Sequence, residues 1–310
     1  MKEADTVDRT APRQRADDRW SLEATIAERE PEAQERLVSL RERVLVGAGW
    51  LAGHLEDERV RLLDVSSDPD VYVHGHLPGA DYLHWRADLT ARHGPVGGQV
   101  LSREALARAL SARGITEDHT IVLYDDCLGV YAARAYWVLK YYGHADVRLL
   151  DGGRAAWEAE GHGLITDAPR REPTVYVARA PDRAIRAEWR EVIDRLQDPG
   201  TRYLDVRTAM EYTGHEPPTA RGGHIPGAVN VNWAHAISDD GRLRPTEELE
   251  RLYRRAGISP EYDIIVYSQI GVRSAHTWFV LHELLGYPSV SNYDGSWDEY
   301  SSIRASPFER

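Results

Sequence analysis

The hexapeptide Gly75-His-Leu-Pro-Gly-Ala80 recurs in the second half of this 310-residue chain as Gly223-His-Ile-Pro-Gly-Ala228. Further matching segments flank both copies in the same order. They are Arg61-Leu-Leu-Asp-Val65 with Arg202-Tyr-Leu-Asp-Val206, Thr120-Ile-Val-Leu-Tyr124 with Asp263-Ile-Ile-Val-Tyr267, and Leu150-Asp-Gly-Gly153 with Tyr293-Asp-Gly-Ser296. Because self-similarity in a fixed order is the signature of duplicated structural units, the sequence predicts two domains with the same fold.

Each half alternates short apolar runs with longer segments of helical spacing. The runs that end at Asp64, Tyr124 and Leu150 are typical of buried strands, and the segments between them have apolar positions at helical intervals and glycine at their ends. Strands that alternate with helices indicate a mainly parallel sheet with helices on its faces. We therefore predict an α/β protein of two tandem domains.

Composition sets the predicted boundaries. Residues 1–43 are polar and charged, and they predict an N-terminal arm with a disordered tail and a helix interrupted near Pro31. Residues 44–164 form the first predicted domain and residues 184–310 the second. The linker between them, residues 165–183, carries three prolines and no long period.

Charge and cysteine content exclude several classes of function. The formal net charge of −12 argues against binding to nucleic acids or anionic membranes. Cys127 is the single cysteine, so no intramolecular disulfide can form, which fits a reducing compartment. No stretch approaches the roughly 18 consecutive apolar residues of a membrane span, and His74 and His76 lack companions for a metal site. We predict a cytoplasmic protein without metal or other cofactor.

One loop combines the features of an anion site. Ser268-Gln-Ile-Gly-Val-Arg273 leaves the strand that ends at Tyr267 and enters a helix, and parallel sheets bind ligands beyond the carboxyl ends of their strands. Such a loop turns backbone N–H groups inward at a helix N-terminus, where the helix dipole favours anions. Gly271 permits close backbone approach, and Arg273 can bond an oxyanion in a forked geometry. The predicted binding residues are Gln269, Ile270, Gly271, Val272 and Ser274, and Ser268 and Arg273 form the two ends of the loop.

The segments 267–281, 284–287 and 292–297 resemble the active-site helix and closing motif of rhodaneses, in particular bacterial tandem-domain thiosulfate sulfurtransferases. The resemblance extends from about residue 44 to about residue 303. In that family the loop begins with cysteine and ends with arginine after four intervening residues, as from position 268 to position 273, whereas related phosphatases have five. The resemblance therefore implies that Ser268 and Arg273 stand at the catalytic positions. Arg186 resembles a family arginine that helps to bind the substrate anion.

The resemblance implies a mechanism. A thiolate at position 268 takes the outer sulfur of thiosulfate and releases sulfite. The persulfide then passes its sulfur to cyanide, a thiol or a sulfur-carrier acceptor. Two half-reactions through a covalent intermediate give ping-pong kinetics.

Serine at position 268 departs from the family pattern. A serine hydroxyl cannot form a persulfide and is a weak nucleophile at neutral pH. In one hypothesis, Ser268 replaces cysteine in a thiosulfate sulfurtransferase, and this form is inactive. In the other, the serine is natural, and the protein binds an anion or a partner or performs other chemistry in the same pocket.

The matching loop of the first domain is predicted to be non-catalytic. A constant offset of 143 residues across this region aligns Asp125 with Ser268 and Val130 with Arg273. Two consecutive aspartates in that loop would repel thiosulfate and raise the pKa of a thiol. We interpret the first domain as a scaffold and Cys127 as an incidental thiol, with a relocated sulfur carrier as the alternative.

Overall fold

The computed structural model of the chain describes residues 31–91, 96–216 and 221–310. The predicted disordered tail and the first part of the predicted arm lie outside these residues. Helix α1 (Pro31–Val44) begins at a proline, which a first helical turn tolerates because its N–H groups have no partner within the helix. Within the described ranges, the helices lack the length and apolarity that crossing a bilayer requires.

The two halves repeat one order of elements. The first half contains β1 (Leu45–Val46), α2 (Ala48–Ala52), β2 (Val60–Asp64), α3 (Pro69–His74), β3 (Ala80–Tyr82), α4 (Arg103–Ser111), β4 (Thr120–Tyr124), α5 (Val130–Tyr141), β5 (Val147–Leu150) and α6 (Gly153–Ala159). The second half contains β6 (Arg186–Ala187), α7 (Trp189–Asp194), β7 (Thr201–Asp205), α8 (Ala209–Tyr212), β8 (Val229–Asn230), α9 (Thr246–Arg255), β9 (Asp263–Tyr267), α10 (Val272–Trp278), β10 (Val290–Tyr293) and α11 (Ser296–Ser302). A π-helical turn, Phe279–Leu284, continues α10.

Each half forms one parallel five-stranded sheet, which confirms the predicted fold class. The strand orders are β1-β5-β4-β2-β3 and β6-β10-β9-β7-β8, so equivalent strands occupy equivalent places. In the second sheet, β9 pairs with β7 on one side and with β10 on the other. The candidate loop therefore leaves a central strand, where side chains from both neighbours can surround it.

The recurring sequence motifs are joined by hydrogen bonds in both halves. The Tyr124 hydroxyl accepts the Leu77 N–H, and the Tyr267 hydroxyl accepts the Ile225 N–H, each at 3.1 Å. Each bond ties the end of a central strand to its Gly-His-x-Pro-Gly turn. In both halves, the same hydrogen bond thus holds this turn against the end of the central strand.

The main hydrophobic core joins the two halves. Alternate residues of each central strand point to opposite faces of its sheet, so Leu123 and Val266 enter the shared core, whereas Tyr124 and Tyr267 enter the two outer clusters. Helices α5 and α10 pack against each other. The loops that precede these helices consequently lie close to residues of the opposite domain.

The predicted register between the halves is wrong by one residue within this region. Helices α5 and α10 both begin after a left-handed glycine, Gly129 with φ 81° and Gly271 with φ 77°. These glycines are 142 residues apart, whereas the tyrosines that end β4 and β9 are 143 apart, so the first loop is one residue longer. The π-helical turn after α10 absorbs one additional residue and restores the offset. Tyr131, rather than Val130, therefore matches Arg273.

Candidate functional site

The side chain at position 268 is enclosed by its own loop. Ser268 is fully buried, and its backbone N–H donates to Ser296 Oγ at 3.0 Å while its carbonyl accepts the Trp297 N–H at 3.0 Å. The Ser268 Oγ accepts the Gly271 N–H at 3.2 Å and lies 3.3 Å from Ser274 Oγ. Position 268 thus faces the N-terminus of α10 and not the bulk solvent.

Gly271 is required for this curvature. Its φ of +77° lies in the left-handed region, and an added Cβ would lie 2.5 Å from the backbone oxygen of Asp294. A side chain here would be strained and would also collide with backbone atoms. The loop can close around position 268 because this residue is glycine.

The first domain shows which chemical group such a loop holds. The Asp125 carboxylate accepts four backbone N–H groups, from Cys127, Gly129 and Tyr131 at 2.8 Å and from Ala132 at 2.9 Å. Burial raises the pKa of Asp125, but four donors to its oxygens favour the ionised form. This loop is therefore an anion cradle that its own side chain fills.

The matching donors of the second loop follow from the structural alignment of α5 with α10. Gly129, Tyr131 and Ala132 correspond to Gly271, Arg273 and Ser274, and Gly271 already donates to the side chain at position 268. A serine side chain is one atom shorter than that of aspartate. The second loop therefore presents the same kind of cradle around a side chain that fills less of it.

Replacing Asp125 by Ala is expected to lower the free energy of unfolding by about 2–4 kcal/mol, because four N–H groups in a buried loop lose their acceptor. Urea unfolding measures this change. The neighbouring substitution Asp126→Ala, at an exposed side chain, is the matched control and should cost less than about 0.5 kcal/mol. Equal effects of the two substitutions would contradict the cradle.

Arg273 is held by a carboxylate on α8. Its guanidinium donates to both oxygens of Glu211, at 2.9 and 2.8 Å, and the two side chains are 23% and 13% exposed. Glu211 also accepts the Thr208 N–H in a capping box. Burial raises the pKa of Glu211, but the bonds from Arg273 and Thr208 outweigh it and lower the pKa to about 2. The positive charge of Arg273 is therefore largely compensated.

Replacing Glu211 by Gln is expected to remove an acid-sensitive part of the stability. The pKa of about 2 in the folded protein lies below the ordinary value of 4.5. The ionised carboxylate thus stabilises the fold fully above about pH 4.5, and this contribution is lost as the pH falls through 2. The free energy of unfolding, measured with urea between about pH 4.5 and pH 2, should therefore fall more steeply with decreasing pH for the unchanged chain (the parent) than for the Glu211→Gln variant. Glu248→Gln, which breaks the more exposed Arg244–Glu248 pair, should keep the parent slope; equal slopes for all three proteins would rule out this role of Glu211.

The remaining predicted site residues lie in or beside the loop. The Gln269 carbonyl accepts the Asp298 N–H at 3.0 Å, and Val272 starts α10. Ile270 lies against Gly98 of the first domain, and a Cβ added to Gly98 would collide with the backbone oxygen of Ile270.

Arg186 does not bond to the loop directly. Its Nε donates to Asp294 at 2.9 Å, and the backbone of Asp294 contacts Gly271.

Sequence reasoning missed three charged residues of this region: Glu211, Asp294 and Arg134. Asp294 had a signal, since the Asp-Gly of Leu150-Asp-Gly-Gly153 recurs with it. Glu211 and Arg134 had no such signal, because each reaches the loop from an element distant in sequence.

The single thiol of the chain lies in the first loop. Cys127 is half-buried, and its burial, together with the smaller effect of the charges of Asp125 and Asp126, raises the pKa of its thiol. No group of metal-binding side chains occurs among the residues that the structure describes.

Comparison with known proteins identifies relatives along most of the chain. The model of the Rhodanese-like domain matches residues 47–160 and 188–303. A protein of Saccharopolyspora erythraea named "Putative thiosulfate sulfurtransferase" is 43% identical over 277 residues, which cover 87% of this chain and 97% of that protein. The "Sulfur carrier protein TtuD" of Thermus thermophilus is 42% identical over 278 residues, covering 86% of this chain and 96% of its own length.

Solved structures agree with this relationship. Wild-type EanB superimposes with a TM-score of 0.78 at 26% identity, over 86% of this chain and 69% of EanB. A variant of EanB that was solved as a cysteine persulfide with ergothioneine has a TM-score of 0.78 and the same identity, over 86% of this chain and 70% of its own. The similarity spans both halves of the molecule.

Proposed function

The chain belongs to the rhodanese family, and from this premise we propose that loop 268–273 binds a sulfur-bearing oxyanion and, with cysteine at position 268, moves sulfane sulfur from thiosulfate to a thiol or sulfur-carrier acceptor. The name of the Saccharopolyspora relative supports thiosulfate as the donor. The name of the Thermus relative supports a sulfur-carrying role. The single cysteine in the chain favours a reducing cytoplasm, and we retain that location as a prediction.

The observation that carries the proposal is the filled cradle of the first domain. A carboxylate oxygen of Asp125 is separated from its Cα by the same number of bonds as the outer sulfur of a cysteine persulfide. Four backbone N–H groups meet that oxygen pair. The three corresponding donors of the second loop, the N–H groups of Gly271, Arg273 and Ser274, would stabilise a terminal persulfide sulfur or a bound oxyanion at the corresponding place.

The proposed reaction has two steps. A thiolate at position 268 attacks the outer sulfur of thiosulfate, so that a new S–S bond forms and the old one breaks with its electron pair leaving on sulfite. The acceptor thiolate or cyanide then attacks the outer sulfur of the persulfide, and the electron pair of that bond returns to the enzyme thiolate. Each step regenerates what the other requires, without any oxidant, reductant or cofactor.

In the chain as it stands, Ser268 supports binding and not transfer. Its hydroxyl is buried, accepts a hydrogen bond from the Gly271 N–H and lies close to the hydroxyl of Ser274. This well-accommodated serine favours the second candidate function, an anion- or partner-binding protein that retains the cradle without the nucleophile. Both candidates require the same cradle, and they differ in whether a thiol placed in it reacts.

The deciding experiment measures sulfite release from thiosulfate by the Ser268→Cys variant with cyanide as acceptor. Release with ping-pong kinetics supports the sulfurtransferase. Binding of thiosulfate by both forms, with no release by the variant, rejects transfer and favours the binding protein.

A further inference from the structure

A buried cation from the first domain lies beneath the second-domain loop. Arg134, on α5, has no exposed surface. Its guanidinium donates to the carbonyl of Gly98 at 2.7 Å and to the carbonyl of Gly271 at 3.3 Å, and it lies 3.8 Å from the Asp294 carboxylate. A fully buried guanidinium is costly unless it is paired and hydrogen-bonded, so its position requires a compensating arrangement.

Arg134 acts on the residue that faces position 268. The Gly271 N–H donates to Ser268 Oγ, whereas the Gly271 carbonyl accepts Arg134 and also Asn292 Nδ2, each at 3.3 Å. Gly271 is thus held from both ends of its backbone. Because its left-handed conformation begins α10, a shift of this residue would move the whole set of N–H groups that follows.

The charged side chains around Arg134 are those of Asp294, Arg186, Glu188 and Glu299, and most of them interact with other groups or with solvent. Asp294 accepts the Val100 N–H at 2.7 Å and Arg186 at 2.9 Å, so one carboxylate is shared by two guanidinium groups. Glu188 lies 3.8 Å from Arg186 but is 73% exposed, so solvent screens it. Glu299 also faces this group, and burial raises the pKa of its carboxyl. Arg134 is the member of the group that bonds the loop itself.

The first domain supplies an internal comparison. In the structural register, His276 of α10 corresponds to Arg134 of α5. His276 is 2% exposed, its Nδ1 has no hydrogen-bond partner among the described residues, and burial lowers its pKa to about 4. It lines a cavity of about 20 Å³ together with Gly129 of the first loop. A neutral side chain and a small void therefore occupy the position that corresponds to that of the cation.

Equivalent crossing segments show that the two sites correspond. Gly98 lies against Ile270 of the second loop, and Gly241 lies against Leu128 of the first. The Val100 N–H donates to Asp294, and the Leu243 N–H donates to Asp151 at 2.9 Å. Each domain thus covers the loop of the other in the same way.

The two loops differ in the sign of their fixed charge. The loop that carries its own carboxylate, Asp125, faces a neutral histidine, and the loop without a carboxylate faces an arginine. We propose that Arg134 is a positioning residue of the second-domain site, which holds Gly271 for contact with residue 268 and places a permanent positive charge beneath a ligand anion or thiolate. The anionic ligand class rests on the proposed function, whereas the effect of Arg134 on a group at position 268 does not.

The test uses the full chain with Ser268→Cys and Cys127→Ser, so that position 268 carries the single thiol. Thiolate absorbance as a function of pH gives the pKa of this thiol. Because a nearby cation lowers a thiol pKa, Arg134→Met should raise it by about one unit or more. The same variant should lower kcat/KM for thiosulfate at least about tenfold. Arg148→Met, which removes a partly exposed arginine of β5 paired with Asp146, is the matched control and should leave the thiol pKa unchanged.

Arg134→Lys keeps the charge but loses the fork that reaches two carbonyls, and it decides the matter if Arg134→Met fails to fold. It should raise the thiol pKa less and still lower kcat/KM. A folded Arg134→Met or Arg134→Lys protein with the parent thiol pKa and the parent kcat/KM would overturn the proposal. A parent thiol that titrates low but releases no sulfite would instead reject the sulfurtransferase and leave the role of Arg134 intact.

Discussion

Ser268→Cys is expected to raise sulfite release from thiosulfate by a factor on the order of 10³ or more over the chain with serine, because the serine hydroxyl can neither ionise readily nor hold a sulfane sulfur. The substitution changes one buried atom. Sulfur is larger than oxygen, but the hydrogen-bond partners of Ser268 Oγ are the Gly271 N–H and the Ser274 hydroxyl, which can also donate to a thiolate, so the loop should accept the sulfur.

Several controls make this result specific. The variant should gain the mass of one sulfur atom on treatment with thiosulfate and lose it on treatment with cyanide. Cys127→Ser in both backgrounds should change nothing, because that thiol has a raised pKa beside two carboxylates. A persulfide on Cys127, or release that is equal with serine and cysteine at position 268, would show that sulfur transfer does not occur in the second loop.

Gly271→Ala is expected to lower the free energy of unfolding by about 2–5 kcal/mol. The left-handed backbone costs an alanine about 1–2 kcal/mol, and the new Cβ would lie 2.5 Å from the oxygen and 2.6 Å from the Cα of Asp294, so backbone atoms must move at a further cost of about 1–3 kcal/mol. Urea unfolding measures the sum. The same variant should bind thiosulfate weakly because the displaced helix start misdirects the N–H groups.

The duplicated fold provides a matched control for this substitution. Gly129 begins α5 with φ 81°, and a Cβ added to it would meet no heavy atom of the described residues within 4 Å. Gly129→Ala should therefore cost only the conformational part, about 1–2 kcal/mol. If both alanine variants were destabilised equally, the close contact between Gly271 and Asp294 would not be what constrains the loop.

Much of the fold could be predicted from local patterns. The strands that end at Tyr124 and Tyr267 are short apolar runs, and the turns that follow Asp64 and Asp205 carry glycine and proline. These features specify backbone geometry within a few residues, so they are readable without tertiary contacts. The one-residue error in register arises because a longer loop before α5 and a π-helical turn after α10 compensate each other, and an ungapped alignment cannot detect compensating changes.

The contacts of charged side chains are predicted less completely. The sequence predicts that the forked guanidinium of Arg273 faces the oxyanion, whereas in the structure it bonds Glu211 on α8. The sequence also predicts that Arg186 helps to bind the substrate anion, whereas in the structure Arg186 donates a hydrogen bond to Asp294. Their roles toward a ligand stay predictions. A side chain of this length can reach several carboxylates, and which of them is near depends on how the elements pack.

The duplication, the parallel sheets, the position of the loop and the serine at its first residue all follow from the sequence alone, because repeats and short-range patterns depend on neighbours along the chain. The charges that surround that loop follow only from the folded molecule. Arg134 and Gly271 are 137 residues apart and meet across the domain boundary, and Glu211 compensates Arg273 from 62 residues away. Electrostatic interactions depend on distance in space and on burial, and both are set only when the elements that carry these residues pack together.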